Sequence, residues 1–396
     1  MKRFTNDIIN RHSKTLGERN EIDETLALPI FSQDVLGQNV LHPNWSWKTT
    51  MGRQIIFILS SIYGVLCSTD SLGDERDAAS TNNAFFIALF TLLIEIKILL
   101  FINNRENFKQ SYHIVKTALF DIVKSASVAQ QEKLLKQYNT MVYMFIGCVI
   151  LPLVGYMLNV AWHYFLLDTR VYLTAYSSLL PMTNPYYQIG LILQTVTYFV
   201  ILIPCFVIDF WFVIFILGFC RTSESLVEML KIEHGSDETQ SEYMDRLNDT
   251  LRTFYGNHVK LVEYYNILNR MYKWQAVIPL LSAFATLCVL LFSFQEDVQW
   301  HFVLTHAIPV LFQISAYQLY GEQVISQGCQ VHNALMEFDW TSMRLRDRNN
   351  YLIIIGYMNK EFRIKTALGN DLSLLTMSSL VKASYQACAL LRTMND

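Results

Sequence analysis

The chain has 396 residues, 31 Lys+Arg against 34 Asp+Glu (net charge −3), 52% apolar residues and only 16% charged ones. An average soluble domain carries roughly 25% charged residues, and the near-neutral balance removes the electrostatic case for nucleic acid. With 25 Phe, 21 Tyr and 7 Trp, intrinsic disorder is excluded as well. A polytopic protein of the lipid bilayer remains.

A bilayer core of about 30 Å needs roughly 20 mostly apolar helical residues. Seven windows qualify in chain order: Thr50–Ser68, Ala84–Ile102, Tyr138–Leu166, Tyr187–Phe219, Gln275–Phe294, Phe302–Tyr320 and Leu372–Leu391. Met1–Lys48 is polar and holds no apolar stretch of signal length. Helical character is heavy over Ser223–Lys231 and Tyr243–Tyr272. The run Tyr351–Met358 is too short to cross and is expected as a buried helix in a packed cytoplasmic platform. The fold class is therefore all-α, a seven-helix transmembrane bundle. It divides into an N-terminal segment (1–49), six spans with a long loop at 221–273 (50–328), a cytoplasmic region (329–370) and a seventh helix (371–396).

Orientation follows from the Lys/Arg bias of the loops. With the N-terminus inside, 26 of the 31 Lys+Arg fall in cytoplasmic segments and three fall outside, at Arg76, Arg170 and Arg392. The N-terminus is thus expected in the cytoplasm and the C-terminus outside. A G-protein-coupled receptor has the opposite orientation and usually a cysteine in its second outer loop. The outer segments Thr69–Asn83, Leu167–Tyr186 and Gln295–His301 contain none.

Ionisable residues within spans cost about 2.5–3.5 kcal/mol each on insertion scales. They are Glu95 and Lys97, Asp209, Glu322 and Lys382, and the first four are expected to form an inner-side ion-pair network. No internal repeat accompanies them, which counts against a transporter. On the seventh span Ser378, Ser379, Lys382, Tyr385, Gln386 and Thr393 share one arc of the helix, opposite Leu380, Ala383, Ala387, Leu391 and Met394. Lipid offers no hydrogen bonds. The stripe therefore either lines a pore built from several subunits or is buried against the rest of the bundle. No P-loop, dinucleotide fingerprint, zinc-protease motif or nucleophile elbow is present. Neither enzymatic activity nor a cofactor or metal site is expected.

The last third of the chain resembles the insect odorant receptor family. The likeness runs from Tyr320-Gly321-Glu322 through Ser326, Val331, Ala334, Trp340, Arg348 and Tyr351–Met358. It continues through Thr366-Ala367-Leu368-Gly369 and Leu372–Leu374 to Lys382-Ala383-Ser384-Tyr385 and Leu390-Leu391. Met377 and Gln386 depart from the family pattern. The resemblance implies a subunit of a tetrameric, ligand-gated, non-selective cation channel with the seventh helix lining the pore. It places Lys382, Gln386, Leu390, Thr393 and Met394 at the pore, with Leu390 as the hydrophobic gate. The compact second cytoplasmic loop and the ending Leu391-Arg392-Thr393-Met394-Asn395-Asp396 are similar to a ligand-selecting subunit that assembles with the family's coreceptor. The implied location is the plasma membrane of olfactory sensory dendrites. A gustatory-type, self-sufficient channel is the alternative, and a transporter a more distant one.

The family's odorant site lies in the outer half of the bundle. By the same likeness it corresponds here to Phe86, Leu89 and Phe90; Met157, Leu158 and Trp162; Ile189, Leu193 and Thr197; and His306, Val310 and Gln313. This is an apolar lining with a few placed polar groups, as small-molecule pockets require. Its aromatic content implies an aromatic or heteroaromatic volatile.

Overall fold

The structure is a computed structural model that describes residues 20–42, 44–70, 78–173, 178–293, 300–358 and 361–395. Among these residues the chain is all-α. Its strand-like pairing is limited to an isolated bridge between Lys365 and Asp371.

The N-terminal segment is less independent than its polarity implies. Asn20 caps α1 (Glu21–Thr25) in a reciprocal capping box with Asp23, and α2 (Ala27–Val35) follows. Ile22, Leu26 and Ile30 recur every four residues and are buried. Asp23 accepts a 2.6 Å hydrogen bond from Tyr112 and pairs with buried Lys116 at 2.6 Å.

The first two expected spans become α3 (Trp47–Asp70) and α4 (Ala78–Asn103). After them α5 (Arg105–Ile114), a π-helical turn (Val115–Leu119) and α6 (Phe120–Ala126) wrap the core. Ser127 caps α7 (Val128–Leu166), accepting from the Gln130 amide at 3.1 Å. The centre of the molecule is α8 (Tyr186–Leu230). From Pro204 to Ser223 it is buried at every residue but Asp209, because this stretch is apolar all round and helices surround it. Trp211 meets Phe108 and Tyr112 edge-on at 5.1 and 5.7 Å, and Phe212 stacks on Tyr317 at 4.2 Å.

A second capping box, Thr239 with Glu242, starts α9 (Gln240–Gln275). It bends at Ala276 into α10 (Val277–Ser293). Then come α11 (Trp300–Met336), a short 3-10 turn (Trp340–Ser342), α12 (Leu345–Tyr357) and α13 (Leu374–Asn395). Thus α3, α4, α7, α8, α10, α11 and α13 lie on the seven windows read from sequence. Among the described residues three helices are long and apolar enough by themselves to cross a membrane: Trp47–Cys67, Val128–Leu166 and Tyr186–Leu230.

The two ends of the bundle differ in packing. At the platform end α2, α5, α6 and α9 pack on α8, while α1 packs on α7 and α12 on α9 and α11. Here α12 departs from the buried helix expected over Tyr351–Met358. Tyr351, Ile354 and Met358 are buried, whereas Leu352, Ile353 and Tyr357 are exposed. Its apolar run is wider than the contact it makes within the chain. At the distal end α3, α7 and α8 carry broad exposed apolar faces, including Ile58, Leu59, Leu151, Leu158, Ile192 and Val196. Lipid-facing helices have this character, since no polar solvent has to be satisfied there.

Candidate functional site

Twelve wall residues and a pore stripe were expected, and the structure distributes them unevenly. On α4, Leu89 and Phe90 are half-buried. Phe90 packs against both the main core and a distal cluster of Leu280, Ala283, Val310 and Ile314. Val310 is buried there, one helical turn from buried Gln313. Thr197 is half-buried and approaches α3 where Gly64 leaves room. Met157 packs beside a separate cluster of Tyr156, Val160, Leu173 and Tyr198. By contrast Leu158, Trp162, Ile189 and Leu193 are exposed on the isolated chain. The side chains of Phe86, His306, Thr393 and Met394 lie outside the described part. The structure therefore brings Phe90, Val310 and Gln313 together and leaves the α7 and outer α8 candidates apart from them.

Below this wall sits a polar cluster. Lys97 is fully buried and pairs with Asp209 Oδ1. Tyr317 donates to the same oxygen at 2.8 Å, and Gln313 Nε2 donates to Oδ2 at 2.6 Å. Lys97 also reaches Cys205 Sγ at 3.6 Å. Three helices, α4, α8 and α11, are thus tied at one carboxylate. The expected ion-pair network is present for Lys97 and Asp209. Sequence reasoning missed Tyr317, although it lies four residues from Gln313 and so shares its helix face.

Glu322 does something else. Its Oε2 accepts from the Leu374 amide at 3.1 Å, while Gln318 Oε1 accepts from the Ser373 amide at 2.7 Å. Two residues of α11 therefore hold the first amides of α13, where a carboxylate also complements the helix dipole. Between them Gly321 lets the Leu372 backbone approach. A Cβ at Gly321 would lie 2.5 Å from that of Leu372. Close approach and capping give a physical reason for Tyr320-Gly321-Glu322.

The segment leading to α13 is strapped along α9. Tyr265 brackets Arg363, donating to its carbonyl at 2.8 Å and accepting from its amide at 3.1 Å. Asn269 Oδ1 accepts from the Lys365 amide at 2.9 Å, and the Lys273 carbonyl from the Ala367 amide at 2.6 Å. Two extended residues rise about as far as one helical turn, so successive turns of α9 meet alternate residues of the strap. Phe362 anchors its start, 4.9 Å from Tyr265 and 6.1 Å from His258. Burial lowers the pKa of His258 to about 4, and its Nε2 has no partner among the described residues.

Along α13 the burial follows one line. Ser384 and Cys388 are buried and Leu380 packs on the α10–α11 cluster. Ser378, Ser379, Lys382, Tyr385, Gln386 and Leu390 are exposed. The polar arc is thus open, not buried against the rest of the chain. In the platform, Arg344 pairs with Asp245 at 2.9 Å and Arg348 donates to the Met343 carbonyl at 3.0 Å. These two arginines are occupied by the platform itself.

The family model described as 7tm Odorant receptor matches residues 77–385. The chain is similar to "Putative odorant receptor 85d" of Drosophila melanogaster, at 30% identity over 106 residues. That match spans 27% of this chain and 22% of the relative. Its fold is similar to olfactory receptor OR5 of Machilis hrabei, with a TM-score of 0.69 at 13% identity over 88% of this chain and 92% of that one. The same receptor in complex with eugenol matches with a TM-score of 0.69, over 98% of this chain and 100% of that one.

Proposed function

Because the chain belongs to the 7tm Odorant receptor family, we propose that it is the ligand-selecting subunit of an odorant-gated, non-selective cation channel completed by a coreceptor. The observation that carries this reading is the open polar arc of α13. A helix tied to its own chain along one line, with serines, Lys382, Tyr385 and Gln386 exposed, leaves its hydrogen-bonding groups to water or to other subunits. Copies of α13 around a tetramer axis would supply both, with Leu390 as the gate. Lys382 then belongs in the wide cytoplasmic vestibule or beside an acid of another subunit. The exposed Leu352, Ile353 and Tyr357 of α12 support subunit contact at the platform. In this reading the platform is cytoplasmic, as the loop charges favour, and the channel works in the plasma membrane of olfactory dendrites.

The ligand is a small volatile held in the distal half by Phe90, Val310 and their neighbours. A related receptor whose structure is described with eugenol, an aromatic volatile, supports that class. Contact passes from Phe90 and Val310 through Leu280 and Ala283 to Leu380 on α13. The ligand shifts a closed–open equilibrium by its differential affinity for the two states. Whole-cell current tests the reading, with the chain expressed alone and with an insect coreceptor. Odorant-evoked inward cation current only on co-expression is expected. Current from the chain alone would make it a self-sufficient channel of the gustatory type. Silence in both despite surface expression would overturn the channel reading and favour a transporter.

A further inference from the structure

The carboxylate at the base of the wall fixes the orientation of one amide. Oδ1 of Asp209 receives Lys97 and Tyr317, and Oδ2 receives Gln313. An ionised carboxylate only accepts hydrogen bonds. Gln313 must therefore turn its NH2 toward Asp209, and a flipped amide would set oxygen against oxygen. Its carbonyl oxygen is directed away from the cluster as a result. That oxygen has no partner among the described residues, yet Gln313 is only 6% exposed. One turn away lies Val310, with Phe90 packed on the same cluster. The arrangement is an apolar wall with an oriented acceptor at its base.

We infer that Gln313 is the specificity-determining acceptor of the odorant site, and that the preferred ligand is a volatile alcohol or phenol donating its hydroxyl hydrogen to Gln313 Oε1. This rests on the odorant-channel reading and adds the chemical class of the ligand. A buried acceptor left unmatched carries a desolvation cost. A site built around such a group discriminates strongly against an analogue without the donor. An ether of the same shape fills the same apolar volume and leaves the oxygen bare. Water retained at the oxygen under every ligand would produce no such preference.

The test is a set of concentration–response series in cells expressing this chain with the coreceptor. The compounds are benzyl alcohol, benzyl methyl ether and propylbenzene; 2-methoxyphenol and 1,2-dimethoxybenzene; and 1-hexanol, methyl pentyl ether and heptane. In at least one series the hydroxyl compound should act at a concentration about tenfold or more below its ether, equivalent to about 1.4 kcal/mol. Gln313→Met should bring that ratio close to one while the ether still opens the channel. Gln313→Asn keeps the acceptor and should preserve part of the ratio. Equal potency of alcohol and ether in the unmodified channel overturns the inference whether or not the variants fold. So does an unchanged ratio in Gln313→Met, and in both cases the channel reading stands. No current to any compound from surface-expressed protein overturns the channel reading, and this inference with it.

Discussion

Asp209 draws three donors from two neighbouring helices, so removal of any one partner leaves the others mismatched in an apolar setting. Deleting one member of a buried ion pair costs about 3–5 kcal/mol, whereas replacing both with apolar residues is often close to neutral. Lys97→Met and Asp209→Leu should each lower the thermal unfolding midpoint of the detergent-solubilised protein. The double variant should recover the part of the loss due to the unpaired charge but not the part from Tyr317 and Gln313, which still lack their acceptor. If the double variant is as unstable as the singles combined, the pair is not the coupled unit described. His258 sets a second residue-scale expectation. An ordinary histidine titrates near pH 6.5, but this one is held to about 4 by burial between Phe254 and Phe362. Between those values the unfolded chain binds a proton that the folded chain does not, so stability falls as pH drops from 6.5 toward 4. The total is about 3 kcal/mol at most. Unfolding midpoints measured across this range should slope for the unmodified protein and flatten for His258→Phe.

At the scale of elements, the join between α11 and α13 is a closely constrained contact. Gly321 admits the Leu372 backbone and Glu322 receives the Leu374 amide. Gly321→Ala should displace the start of α13 at a cost of about 1–3 kcal/mol. Reduced surface expression or loss of evoked current would be its readout. Glu322→Gln removes only the charge and should cost about 0.3–1 kcal/mol, with surface expression kept. The helices themselves were legible in the sequence because a membrane span is announced by an unbroken apolar run. The N-terminal helices were not, although Ile22, Leu26 and Ile30 carry the right spacing, because their surroundings are polar and their partners lie on α7 and α8, far along the chain. The strap was hidden for a different reason. It is made from backbone groups of Arg363, Lys365 and Ala367, which leave no trace in residue type. At the candidate site the family likeness put Val310 and Gln313 on one wall and both are buried, while the partner Asp209 comes from a helix about 100 residues away. The exposure of Trp162 and Leu193 could not have been read from sequence, since periodicity gives a face but not what covers it.

For the whole molecule, the contrast between a closed platform and an open distal half decides where motion is inexpensive. The platform end of α8 is packed on all sides, so a ligand arriving there would have to create its own space. The distal half has apolar faces to rearrange. Leu390 is exposed near the far end of α13, and in the proposed channel it is where such rearrangement would reach the ion path. Replacement by Ser or Gln should raise basal cation current of the co-expressed channel in the absence of odorant, and an unchanged baseline would reject Leu390 as the gate. The strap and the α11 caps add a mechanical consequence. They hold the foot of α13 at several backbone points in register with α9, so sliding along the axis would break all of them together. The remainder of the helix touches its own chain along one line. A rod clamped at its base and supported on one side behaves as a lever. From Leu374 to Leu390 the arm is about 24 Å at 1.5 Å per residue, so a tilt of about 10° carries the tip through roughly 4 Å. In the proposed channel, small angular work near Leu380 would thereby become a displacement several times larger than any shift at the foot of the helix.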